Sequence, residues 1–461
     1  MVYTDVRVKV WTKEGPITLT DQVRAVQVQD ALGGLPQGTV LLPLHRTVSP
    51  TSRKRYSELI SVGDLCLIEM LAWDGKKGDW EAVLHGPVVA IEETEPLGPE
   101  AVPGTRLGVA SMAHLLAQDT VAQWMWLGSV AGWKVMESQL LKTEMNQDPA
   151  SVVYNYLTKV AFHLANYQNG GQGLKDLIHL DLDGLEAVGP FSASLGGMEG
   201  PHLEIVKRLV DYPLMELYVT TDRASNLKGK HVSRAGSAPG EGQAATVVRM
   251  RKAPYPFPDT GEWEALPLHA LEGTWQPVKS RAVARTDAVI RNYFVAYPAL
   301  TFVDERHLIA NGSAVANRKS IRRYGYRPMK IRTHLIHNET PIPEETLADF
   351  MAKIAMRMAA QWNRLHEMEA GTIDIPLAPW IRPGHRVKGP SLWGAGERVY
   401  HVRGRSLSWE AGQGGQMILA VERGLPPEVY RDPGWFGEGL EVVRIGVDAR
   451  VEYIRQEKRK R

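Results

Sequence analysis

Cysteine is nearly absent from this 461-residue chain. Cys66 is the single one, which excludes an intramolecular disulfide and any zinc site built on cysteine pairs. An excess of charge of either sign is missing too: 54 Lys and Arg stand against 52 Asp and Glu, a formal net charge of +2. That balance argues against a dedicated nucleic-acid binder, whose footprint is a strongly basic domain. Long apolar runs are lacking. The longest uncharged stretch worth testing, residues 120–133, contains Gln123 and Ser129 and falls short of the roughly 20 apolar residues that cross a bilayer. At the N-terminus Val6, Val8 and Val10 alternate with Arg7 and Lys9, so the segment reads as a strand and not as a signal peptide. The expectation is a protein made in the cytoplasm, without a membrane anchor. P-loop, zinc-protease, nucleophile-elbow and dinucleotide-fold motifs are absent as well. No catalytic, cofactor-binding or metal-binding residue is therefore assigned.

What the chain does have is 13 Trp against 7 Phe, 43 Gly and 29 Pro, at an ordinary 44% hydrophobic content. Its length gives a prior of about three domains. Residues 6–11, 22–29, 65–72 and 80–91 are short apolar or alternating runs parted by turn signals such as Gly33-Gly34, Gly63-Asp64 and Asp74-Gly75, the pattern of a barrel or sandwich. Residues 92–104 are acidic and Pro-rich, as in a linker. From Thr105 the spacing of Leu107, Met112, Leu115, Leu116 and Val121 turns helical and resumes over 152–167. Residues 181–184 read as a loop, 202–210 as a helix stopped near Pro213, and 215–220 and 245–250 as strands. Pro343, Glu344 and Glu345 open the clearest helix, 343–369, with Leu347, Phe350, Met351, Ile354, Met358 and Trp362 on one face. Strands return at 372–377, 386–387, 399–409 and 416–422, before a Pro-rich tail ending in Lys458 to Arg461. One weak repeat exists: Gly63-Asp64 followed by strand and hairpin, and Pro383-Gly384 followed by strand and hairpin.

Individual candidates for chemistry favour plain readings. Residues 180–186 carry Asp181 and Asp183 like half a calcium loop, but without the remaining acidic ligands a turn is preferred. His334 and His337, three apart on a strand end, point to opposite faces and read as ordinary histidines. Glu137 and Glu144 resemble a glycosidase pair only by being acidic residues on a helical stretch. Trp124, Trp126 and Trp133 suit an interface or a core equally. Residues 318–332 hold seven basic residues and no acidic one. They read as a solvated strand pair plus loop, or as a patch that grips phosphates or an acidic partner.

Three segments in order resemble the baseplate or tail hub proteins of tailed bacteriophages, the late control protein D type. The first is residues 62–92, where Gly63-Asp64 opens a strand, a charged hairpin follows, and a second strand ends in Gly86, Val88 and Ile91. The second is 202–257, a helix, a strand with Glu216-Leu217-Tyr218, then Arg251 and Pro256-Phe257. The third is 320–424, with Tyr324-Gly325-Tyr326-Arg327, the long helix, Arg382-Pro383-Gly384, and a closing hairpin around Ser408-Trp409 and Arg423-Gly424. Residues 107–200 and the tail after Gly424 do not match. The resemblance implies an α+β fold of two similar small antiparallel β-barrels plus a mixed α/β region, assembled as a trimeric pseudo-sixfold ring. It divides the chain into a barrel at 1–100, a helical region at 101–213, a discontinuous second barrel at 214–253 plus 372–425, an insertion at 254–371, and an extension at 426–461. It implies a structural virion protein in the phage tail tip, assembled in the host cytoplasm. The partners expected are two further copies, a tail tube or distal tail protein above and a spike or fibre below, with DNA passing through the lumen. A tail-associated peptidoglycan hydrolase and a nucleic-acid channel component are the alternatives.

Overall fold

The computed structural model describes residues 3–49, 52–73, 78–94, 103–121, 149–162, 168–169, 172–184, 200–210, 213–229, 231–233, 244–253, 262–271, 278–284, 286–298, 313–333, 344–391 and 396–444. Its frame is a thirteen-stranded sheet. One end is built from Gly15–Thr18, Tyr3–Thr12, Leu65–Trp73, Trp80–Thr94, Gly104–Ala110, Gln37–Pro43 and Ala25–Ala31, in that spatial order. The other continues through Glu397–Glu410, Gly414–Leu425, Glu369–Pro376 and Ser280–Ala284, with Arg386–Pro390 and Leu268–Ala270 added beside Glu397–Glu410. Alternation in Tyr3–Thr12 turns Val6, Val8 and Val10 inward, where they meet Val28, Leu407 and Leu419 in one core, all with zero exposure. Each such side chain contributes about 1.5–3 kcal/mol when taken fully out of water.

Two long strands change partner midway, each at a glycine. Trp80–Thr94 pairs with Leu65–Trp73 up to Pro87 and with Gly104–Ala110 from Val88 onward. A Cβ on Gly86 would lie 1.9 Å from the Ala110 carbonyl oxygen, so the corner tolerates no side chain. Glu397–Glu410 pairs with Arg386–Pro390 up to His401 and with Ala25–Ala31 from Gly404 onward, where a Cβ would meet Ala31 at 3.0 Å. The turns that precede these hairpins also match. Gly63 donates its N–H to Val88, which donates back to Asp64; Gly384 donates to Val402, which donates back to His385. Both glycines have positive φ, +96° and +87°. The weak repeat of the sequence is thus a repeated hydrogen-bonded device.

A separate four-stranded sheet is ordered Met215–Arg223, Ala244–Lys252, Ile178–Leu182, His231–Ser233. Pro149–Tyr156, His202–Leu209 and Ala113–Gln118 share its core through Val153, Leu203, Val206 and Leu116. A third sheet is ordered Pro328–Thr333, Tyr293–Pro298, Ser313–Asn317, Leu440–Arg444. Met351, Ile354 and Met358 of helix Glu344–Trp362 cluster with its Phe294, Val315 and Ile331.

Several expectations change. Residues 214–253 and 372–425, expected in one barrel, share no ladder among the described residues; the latter pair with Ala25–Ala31, so the first and last β segments form one sheet. Thr105 opens no helix: Gly104–Ala110 is drawn into a strand between two others, and the helix waits until Ala113–Gln118. Residues 181–184, read as a loop, begin inside the fully buried strand Ile178–Leu182. The basic run 318–332 is a helix, Arg318–Tyr324, followed by strand Pro328–Thr333. Asn317 caps that helix by accepting from the Ser320 N–H, and Gly325 at φ +77° ends it. The long helix covers Glu344–Trp362, and a strand begins already at Glu369. Leu440–Arg444, inside the expected C-terminal extension, is an edge strand of the third sheet.

At the seam between the first and last segments, Arg405 stands directly opposite Asp30, and both side chains have zero exposure. The guanidinium donates to both carboxylate oxygens at 2.9 and 3.0 Å, and to the Ile381 carbonyl at 2.8 Å. Removing one partner strands a buried charge. Arg405→Leu is expected to destabilise the chain by about 3–5 kcal/mol, and Asp30→Leu with Arg405→Leu together by much less. Urea unfolding midpoints of the parent, the single and the double variants check this; a double variant as weak as the single one contradicts it.

Candidate functional site

The loop between Glu369–Pro376 and Arg386–Pro390 is where the sheets meet. Arg405 holds its Pro379 and Ile381 carbonyls from one side. The next residue, Arg382, reaches the opposite way, to Asp222 at 2.7 Å, Glu81 at 2.8 Å and the Thr221 carbonyl at 2.8 Å. Asp222 also takes Arg249 at 2.8 Å, and Arg249 turns its other nitrogen to Asp181. Asp181 in turn accepts the N–H groups of Lys228 and Gly229. Beside this chain Arg251 pairs with Glu216 at 2.8 Å and donates to the Gly384 carbonyl at 3.3 Å. Acid and base thus alternate from Glu81 through Arg382, Asp222 and Arg249 to Asp181, along one wall of a cleft of about 610 Å³. Burial alone would raise the Asp222 carboxyl; Arg382 and Arg249, with Asn226 and the Arg223 N–H, outweigh it and hold the group below the usual carboxylate range. Charges matched in this way suit a clasp between two sheets.

Histidines sit in and behind the clasp. His269 and His385 stack at 5.2 Å and share a 3.0 Å hydrogen bond between ring nitrogens. Burial, then His269 and the neighbouring arginines, holds His385 well below the ordinary imidazole value; burial also lowers His269. His85, on the strand that packs toward the four-stranded sheet, is fully buried with neither ring nitrogen hydrogen-bonded among the described residues. Burial first, and His179 second, bring it down to about 4.

Two surfaces lie elsewhere. Across the seam, the outward side of the large sheet carries Gln27, Thr39, Ser406, Ser408 and Gln416 around a groove of about 650 Å³. The basic run lies on the third sheet and its connecting helix, with Lys319, Arg322, Arg323, Arg327 and Lys330 exposed.

The sequence candidates fall apart in space. Asp181 is engaged by Arg249 and two backbone N–H groups, which leaves no calcium loop. Glu137, Glu144, His334, His337, Trp124, Trp126, Trp133 and Lys458 to Arg461 lie outside the described residues. Among the described residues no group of three or more His, Cys, Asp and Glu is placed to hold a metal, and no helix is long and apolar enough to cross a membrane. Reading the sequence missed the clasp. Its signal was charge inside otherwise apolar strands: Arg249 and Arg251, two apart and so on one face, in a run that needs partners to be buried.

No family model and no curated protein matches the chain. Solved structures do. It is similar to a tail protein from Neisseria meningitidis MC58, 10% identical over 91% of this chain and 96% of that one, with a TM-score of 0.47. It is similar to the 43 kDa tail protein of prophage MuSo2 from Shewanella oneidensis, 11% identical over 90% and 98%, TM-score 0.47. A component of the type VI secretion system from E. coli is 9% identical over 91% and 79%, TM-score 0.41. The chain resembles phage tail proteins.

The histidines set a pH window. Folded values below the unfolded imidazole value of about 6.5 mean that the neutral forms stabilise the fold above that pH, and that this is lost as pH falls toward about 4. For His85 the shift corresponds to about 3 kcal/mol. Carboxylates such as Asp222, and Glu422, lowered to about 2, lose their contribution only below about pH 4. Melting temperature should be level above about pH 6.5, fall between about 6.5 and 4, and fall again below. Calorimetry across that range checks it, with His85→Gln expected to flatten the first fall; a constant melting temperature down to about pH 4.5 contradicts it.

Proposed function

We propose that this chain is a structural tail protein acting as a hub. Three copies would form a ring in which each supplies two related β units, joining a sixfold tail tube to a threefold spike or fibre without catalysis of its own. The observation that carries the reading is the repeated device. Gly63-Asp64 and Gly384-His385 bridge to Val88 and Val402 by the same pair of hydrogen bonds, and each precedes a long strand that changes partner at a glycine. One unit then comprises strands from Tyr3–Thr12 to Gly104–Ala110, and the other those of 268–284 and 369–425. Two similar units per chain are what a threefold ring needs to present six near-equivalent positions, and heterologous contacts close into such a ring by rotation. The ordered sequence segments of tail hubs support the same reading. So does the clasp, whose paired charges suit load-bearing and not turnover.

Purified protein is expected to sediment at three times the 51.2 kDa of one chain, and electron micrographs to show rings with six lobes. A strict monomer at high concentration, with no rings in assembled particles, overturns the reading.

A further inference from the structure

The basic run acquires in three dimensions what it lacks in sequence, an aromatic surface. Tyr293–Pro298 pairs in parallel with Pro328–Thr333, in the register Tyr293 to Pro328, Val295 to Lys330 and Tyr297 to Arg332. Residues opposite one another share a face, so Tyr293, Val295, Tyr297, Lys330 and Arg332 all lie on the side away from the long helix, where Tyr293 and Tyr297 pack over the buried Val295. The other side, with Phe294, Ala296 and Ile331, is the one packed in the core with Met351 and Met358. Tyr326, 46% exposed, tilts over Tyr293 at a centroid distance of 5.0 Å. Just before it, Lys319, Arg322 and Arg323 lie within about 100° of arc on helix Arg318–Tyr324, and all are exposed.

Arg332 of this array is engaged. Arg318 pairs with Glu441 and Arg327 with Asp287, both at exposed positions where such pairs are weak. Lys319, Arg322, Arg323 and Lys330 form no ion pair with a described residue. A protein partner with an acidic surface would satisfy the cations alone. Tyr293 and Tyr297 cover the buried Val295 and Ala314, but Tyr326 stands exposed beside the cations; a nucleic-acid strand uses both features, phosphates on the guanidinium and ammonium groups and a base stacked on the exposed ring.

We propose that the exposed Tyr326 and Lys330, with Lys319, Arg322 and Arg323 of the adjoining helix, bind single-stranded nucleic acid. The proposal is independent of the hub reading, since it concerns one face of one chain. The near-zero net charge of the whole protein does not oppose it, because a local array of one sign is what meets the phosphates.

The test is fluorescence anisotropy of the full chain with labelled oligo(dT) of about 16 nucleotides. Four cations with no ion pair among the described residues predict that log K falls with log salt concentration at a slope of about −3. Replacing Arg322→Gln and Arg323→Gln together should make the slope shallower by about 1.4. Tyr326→Ala should weaken binding at least about fivefold at every salt concentration with the slope unchanged, and Tyr326→Phe should restore it. Arg322 and Arg323 are exposed, so their variants keep the parent's melting temperature and stand as the reading if Tyr326→Ala fails to fold. No binding at about 50 mM salt overturns the proposal. A duplex of equal length bound as tightly as the single strand overturns it as well. So does polyglutamate binding that shows the same loss in the double arginine variant, which would assign the face to an acidic protein.

Discussion

Arg405 and Asp30 set the constraint on which the remaining architecture rests. They face each other across the one ladder that, among the described residues, joins the first β segment to the last, and neither side chain has access to water. A buried ion pair is costly to form, and it is kept only where geometry satisfies nearly every donor and acceptor. Here the guanidinium spends its remaining donors on the loop before Arg386–Pro390. Fixing that loop aims Arg382 at Asp222 and Glu81. The register of one strand pair thereby dictates where the four-stranded sheet docks, because a slip by one residue would turn Asp30 outward and release the loop.

In the hub reading, this arrangement gives the two proposed β units unequal surroundings. The first unit runs as one path of strands from Gly15–Thr18 to Ala25–Ala31 and meets the four-stranded sheet at Thr246, whose hydroxyl donates to the His85 carbonyl at 2.7 Å. The second is joined to the first through the ladder of Glu397–Glu410 with Ala25–Ala31. In the hub reading, the seam and the clasp would make the two positions supplied by one copy move as a single body.

Much of this was legible in the sequence. Alternation located Tyr3–Thr12, Leu65–Trp73 and Trp80–Thr94, and the closing hairpin at Glu397–Glu410 and Gly414–Leu425 fell within a few residues of where apolar spacing put it. Failures share a cause, which is that the deciding partner lies far along the chain. Ile178–Leu182 contains Asp181 and looks like a turn until Arg249, 68 residues on, neutralises it. Leu107 fits a helix as well as a strand until Gln37–Pro43 pairs beside it. The basic helix carried its local signals, Asn317 and Gly325, but four like charges in seven residues masked its short apolar side. The clasp offered only charges inside apolar runs, a signal that partners exist without saying which.

The seam also has a history in time. Asp30 and Arg405 are 375 residues apart. At a synthesis rate of about 5–20 residues per second, Ala25–Ala31 emerges roughly 20–75 s before the strand that will cover it. Throughout that interval its outer edge is an open row of backbone donors and acceptors, the template on which chains of the same kind aggregate. An inward-pointing carboxylate on such an edge deters pairing with any strand that brings no cation of its own. Asp30 therefore serves the nascent chain before it serves the folded one, as a guard on an edge that only the arrival of Arg405 can relieve.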